Sequence, residues 1–183
     1  MADKLKETGD KPKKTKQDPL EILKKRAGIY MGHGVNHENK KFKGDLELRN
    51  IVNGKGVSIK YKAIGTEGIE FNRETTLYNL DTILYNEEWT LICNDNDNKL
   101  CLWTLNNNIG TMVRFDLRRF RQVSTKHQLF IFGYGESDDN SVFREEITIE
   151  LWDNGDLSYN YSWGEAGGMF LSRSTVRMKK IGS

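Results

Sequence analysis

The sequence predicts an all-β fold, an antiparallel up-and-down β-barrel of about ten strands with a short N-terminal helix. Three observations predict it. Apolar and polar residues alternate with period two through run after run of the chain. Asn53-Gly54 and Asn154-Gly155 are tight-hairpin signals, as expected of a meander. The stretch Gly28-Ile29-Tyr30-Met31-Gly32-His33-Gly34 places Gly28, Tyr30, Gly32 and Gly34 on one strand face and Ile29, Met31 and His33 on the other. Glycines confined to one face mark a sharp bend or the close approach of another backbone, which suits a strand that closes a barrel. The alternative for this stretch is a Gly-rich loop.

The elements follow in order. Residues 1–17 are polar and Lys-rich without periodicity, and they predict a disordered basic tail ahead of a single barrel domain over 18–183. Asp18-Pro19-Leu20-Glu21 opens a helix, with Asp18 as N-cap, Pro19 at the first helical position and Glu21 able to reach back to the cap. Gly28 ends it, and Leu20, Leu23 and Ala27 share the face that would pack on a barrel end. Strand patterns then cover 45–49, 57–63, 69–75, 89–93, 100–103, 112–115, 128–134, 147–151, 157–163 and 170–180. A meander of this length avoids exposed edges best by closing on itself, between 28–34 and 170–180.

Of the 183 residues, 37% are hydrophobic and 30% charged, which is globular. Residues 1–27 hold 9 Lys/Arg against 5 Asp/Glu, which leaves 19 against 21 for the remainder. The barrel is therefore slightly acidic and lacks the basic stripe that phosphate binding needs, so nucleic acid is not an expected partner. No apolar run of about 18 residues is present, so no membrane span is expected. The first residues lack a secretory pattern, and the expected location is cytoplasmic, with a nuclear or plastid compartment as the alternative. Cys93 and Cys101 flank the turn Asn94–Asn98 symmetrically, a spacing that could set them across from one another, with reduced thiols as the default.

No Walker loop, Rossmann fingerprint, metalloprotease motif, nucleophile elbow or zinc spacing occurs, so neither a catalytic residue nor a metal ligand is assigned. The candidate ligand-binding set is His33, Arg73, Trp103, Arg114, Phe132, Tyr159, Tyr161 and Trp163. Tyr159, Tyr161 and Trp163 share one strand face, which fits core packing or the wall of a ligand cavity. Arg73 and Arg114 sit among apolar strand positions. Either faces solvent or points inward as the partner of a ligand carboxylate. The expected partner is one small hydrophobic or amphiphilic ligand. Monomer and homodimer both stay open.

Gly28-x-Tyr30-x-Gly32-x-Gly34 and Asn154-Gly155-Asp156-Leu157-Ser158-Tyr159 resemble the nitrobindin family, a fatty-acid-binding-protein-like branch of the lipocalin-like calycin superfamily. The resemblance spans about residues 18–181 and implies a ten-stranded barrel with a pocket at one end, holding haem in characterised members. It also implies that Gly28, Tyr30, Gly32, Gly34, Arg173 and Arg177 close the barrel, with Tyr30 against Arg173 or Arg177. The family's strand Trp is Tyr30 here. Its haem-ligating His lies in a segment that reads Gly168-Met169-Phe170, and no His follows His127. Haem is thus a candidate cofactor without its family ligand, and Met169 is the substitute to test. The chain's end is also similar to the phycobilin-attaching lyases, through its aromatic, Gly-Gly and Arg-bearing last strand. That similarity implies a tetrapyrrole-handling enzyme as an alternative. A filled barrel serving as an interaction module is a third reading.

Overall fold

A computed structural model describes residues 18–66, 84–107, 109–124, 127–136 and 138–182. The expected tail over 1–17 and the expected strand over 69–75, with Arg73, lie outside the described residues.

Asp18 caps α1 (Pro19–Lys24) by accepting from Leu20 N at 2.9 Å. The helix is shorter than its pattern, because Arg26 N and Ala27 N bond back to Leu23 O and Lys24 O in a turn that delivers the chain to Gly28. Glu21 pairs with Lys24 at 2.5 Å rather than with the cap. Leu20, Ile22 and Leu23 are buried in the core.

Ten strands follow: β1 (Gly28–Asn36), β2 (Lys41–Ile51), β3 (Gly56–Gly65), β4 (Leu84–Asn94), β5 (Leu100–Asn106), β6 (Ile109–Ser124), β7 (His127–Tyr134), β8 (Arg144–Trp152), β9 (Leu157–Gly164) and β10 (Leu171–Gly182). Each pairs antiparallel with its sequence neighbours, and β10 pairs with β1 to close the ring. The closing register runs from Ile29 opposite Gly182 to Asn36 opposite Ser174. The glycines of β1 make this seam possible. A Cβ on Gly32 would collide with Arg177 O, and one on Gly34 would collide with Thr175 O and with the Phe42 ring.

The expected Tyr30–Arg stack does not form. Residues of β10 alternate across the wall, with Val176 and Met178 buried, so Arg177 turns outward over Trp152 at 4.3 Å. Tyr30 instead donates its hydroxyl to Arg26 O at 2.5 Å, which ties the strand to the end of α1. Arg173 lies over Trp163 at 3.7 Å, and Lys180 faces Tyr30 in register.

Both Asn-Gly pairs sit in hairpins, but with four-residue connections rather than two-residue ones. Val52, Asn53 and Gly54 all take positive φ, at 48°, 51° and 77°. After β8, Gly155 N bonds to Trp152 O and Gly155 adopts φ 90°, a turn followed by a left-handed residue. Cys93 and Cys101 are directly opposed across β4 and β5, both as free thiols. Burial and the neighbouring Asp116 push the Cys101 thiol up to about 11.

The direction of each strand divides the interior. One end, beneath α1, is filled by Leu46, Leu48, Ile59, Ile92, Leu102, Phe130, Ile149 and Leu157, all at most 1% exposed. The other end, where β3 leaves and β4 enters, carries polar side chains.

Candidate functional site

β4 decides the chemistry of the open end. Its alternation reads most simply with Trp89, Leu91 and Cys93 inward. The structure takes the opposite face: Glu88 and Thr90 are 3% and 1% exposed, and Trp89 and Leu91 are 56% and 41% exposed. The outward Trp89 is covered by Lys60 Nζ at 4.0 Å from its ring. The inward Glu88 is met by hydroxyls. Tyr159 donates to Oε1 at 2.6 Å, Thr90 at 2.8 Å and Thr104 at 2.9 Å. Oε2 takes a longer contact from Asn86 Nδ2, 3.3 Å. Buried carboxyl groups persist in proteins where donors of this kind replace water.

A second carboxyl, Glu145 on β8, is 2% exposed and accepts the Tyr161 hydroxyl in a short hydrogen bond. Burial raises its pKa, and the nearby Glu88 raises it further against the opposing effect of the Tyr161 bond. Burial also raises the phenols of Tyr61, Tyr159 and Tyr161, so all three remain neutral donors. The Tyr61 and Tyr159 rings pack at 4.9 Å.

Above these groups opens a cavity of about 230 Å³. Tyr61, Glu88 and Tyr161 line it together with Phe42 and Ala63, and Asn36, His37, Tyr85, Asn86, Asn106, Arg173 and Ser174 complete the lining. Asn86 Oδ1 is buried and has no hydrogen-bond partner among the described residues. Beside the cavity, Arg144 is 1% exposed and rivets two rim loops, donating to Asp139 O and Gly168 O at 2.8 Å each. Tyr134, Phe143 and Trp163 continue the rim as a chain of rings with centroids 6.4 and 6.2 Å apart.

Of the residues expected from sequence, Tyr161 lines the cavity, and Arg173, assigned to barrel closure, does too. Tyr159 lies below it, 2% exposed, with its hydroxyl on Glu88. Trp163 stands at the rim under Arg173, and Phe132 is filled core, 0% exposed. Three residues of the candidate set lie on the outer wall, away from the cavity. His33 is exposed on the outer wall, opposite Lys43 and Arg177, because the even residues of β1 face in. Arg114 also faces outward, held by Asp95 at 2.7 Å and Asp116 at 3.0 Å. Trp103 shares that outer face beneath Arg114, since its neighbours Leu102 and Thr104 take the inner one. Sequence reasoning missed Glu88, Glu145, Asn86, Tyr61 and Tyr85. The one available signal was Ile92, whose burial fixes Glu88 and Thr90 on the same face by period two.

Among the described residues no group of three His, Cys, Asp or Glu is placed to hold a metal ion. Among them, too, no helix is long and apolar enough to cross a membrane.

No known family matches the chain, and no curated protein matches it. Among solved structures it is similar to the crystal structure of Rv2717c from M. tuberculosis, with a TM-score of 0.61 and 8% identity over 91% of this chain and 99% of that chain. A de novo designed fluorescence-activating β-barrel aligns at a TM-score of 0.36 and 8% identity, over 85% of this chain and 93% of that one, which says nothing further about this chain. The likeness to Rv2717c shows the fold alone, a closed antiparallel barrel.

Proposed function

We propose that the chain is a calycin-type binding barrel that takes one small organic ligand into its open end and catalyses no reaction on it. The observation that carries this reading is the cavity of about 230 Å³ over buried polar groups, set above an apolar half that is already filled. Barrels of this strand number are wide enough to leave such a space. The resemblance of β1 and the β8–β9 hairpin to the nitrobindin branch supports the same placement of a pocket.

The size selects against the larger ligands of that superfamily. Sites for drug-sized ligands run from roughly 300 to 1,000 Å³. Haem finds no buried axial ligand among the described residues. Met169 is 74% exposed, His33 is on the outer wall, His127 stacks on Trp152 at 4.1 Å and bonds to Glu150, and His37 reaches the cavity only from an exposed position.

The test is a ligand-observed NMR screen of fragments with up to about ten non-hydrogen atoms, run on wild type and Ala63→Leu. Ala63 borders the cavity, so a longer side chain there should fill it. Loss of fragment binding in a variant that melts no lower than wild type is the expected result. Absence of binding by wild type would leave the filled-barrel reading in its place.

A further inference from the structure

We infer that the ligand is a small cationic amine, seated with its ammonium between Glu88 and Asn86 and its apolar part against Tyr61, Tyr85 and Phe42. The inference rests on the binding reading above and names the ligand class of the same site.

The donor and acceptor inventory of the cavity carries it. Glu88 Oε1 is occupied by three hydroxyls, while Oε2 belongs to a residue lining the cavity and takes the long Asn86 contact at 3.3 Å. A carboxylate has about four acceptor sites, so capacity remains on Oε2. Asn86, two residues earlier on the same inner face, lines the cavity too and holds a buried carbonyl oxygen without a partner among the described residues. Two neighbouring residues of the lining thus hold spare acceptor capacity, Glu88 on Oε2 and Asn86 on an occluded carbonyl oxygen that a turn of its side chain would bring to the ligand, and they call for a group with several N–H donors. An ammonium supplies three donors and no acceptor, whereas a carboxylate supplies acceptors to a place that already has them.

Charge points the same way. Among the described residues Glu88 and Glu145 are the acidic groups beneath the cavity, and their phenol partners, Tyr159 and Tyr161, stay neutral. Among the described residues two basic groups, His37 and Arg173, belong to the upper lining. Arg173 stacks over Trp163, with its Nε on Trp163 O at 3.3 Å, and exposed His37 has its backbone N on Arg173 O at 2.7 Å. Arg144 turns to loop carbonyls on the other side of the rim. The floor of the cavity is therefore acidic and acceptor-rich, with aromatic side chains beside it. Aromatic faces attract cations, most strongly where water is excluded.

Isothermal titration of the full chain with three probes of matched shape tests this: 2-phenylethylamine, 2-phenylethanol and phenylacetate. The amine should bind at least about ten-fold tighter than the alcohol, the step that corresponds to about 1.4 kcal/mol, with phenylacetate weakest. Glu88→Gln should bring the amine down to the affinity of the alcohol. Asn86→Asp, at the solvent side of the well, should tighten the amine alone. Should Glu88→Gln fail to fold, the Asn86→Asp result decides, and unchanged or weaker amine binding overturns the inference. Alcohol or phenylacetate binding as tightly as the amine overturns the cation and leaves the binding barrel intact. Binding by none of the three overturns both.

Discussion

Glu145 couples the site to pH. Its folded pKa is raised by burial and by Glu88, so over the window above the ordinary value of 4.5 the folded chain retains a proton that the unfolded chain has lost. Stability contributed by this group is full below that window and is lost as pH rises through the folded pKa. Glu145→Gln keeps the acceptor for Tyr161 without the charge. Its unfolding free energy in urea should therefore gain on wild type as pH goes from 4 to 7, and a gain in the opposite direction would contradict the assignment. At this scale the sequence was least legible. Tyr161 could be read as an inward phenol because Tyr159, Tyr161 and Trp163 alternate with Ser158, Asn160 and Ser162. Glu88 could not, because hydrophobic patterning assigns the inner face to Trp89 and Leu91. A polar barrel interior inverts that rule wherever hydroxyls from other strands satisfy the carboxyl, and those partners, Thr104 and Tyr159, are 16 and 71 residues away. For Arg114 the pattern left both faces open, and its acidic partners Asp95 and Asp116 hold it on the outer wall.

Among the elements, the loops of the open end depend on Arg144. The side chain is buried, and its two short hydrogen bonds go to carbonyls of the β7–β8 and β9–β10 connections. Hydrogen bonds from charged groups contribute about 1.5–3 kcal/mol each, and a carbonyl left buried without a donor costs more than one returned to water. Arg144→Met should lower stability by about 2–4 kcal/mol in urea unfolding. A loss under about 0.5 kcal/mol would mean that the loops hold without it. The existence of the strands was readable because period two survives in β2, β3 and β8, whereas their extents were not: the pattern marked only 112–115 of β6 and 45–49 of β2. The hairpin signals were right in place and wrong in length, since Val52 and Asn53 both adopt the left-handed region ahead of Gly54. The glycine face of β1 was the best signal of all. Its close approach to β10 is a steric requirement, and glycine alone meets it.

For the molecule as a whole, one ring of ten strands is closed by a β1–β10 seam and stoppered at one end by α1 over Leu20 and Leu23. The apolar half supplies stability and the polar half supplies a well. That division follows from where each strand enters and leaves, so it needed the register and not only the pattern. On the proposed function, ligand enters through the open end. The most direct measurement is a ¹⁵N amide NMR titration with 2-phenylethylamine. The largest shifts should fall on Ala63, Asn86, Glu88, Tyr161 and Ser174, around the cavity. Largest shifts instead at the α1 end, or at the outer hollow lined by Asp95, Lys99 and Arg114, would contradict it, as would a spectrum that does not move.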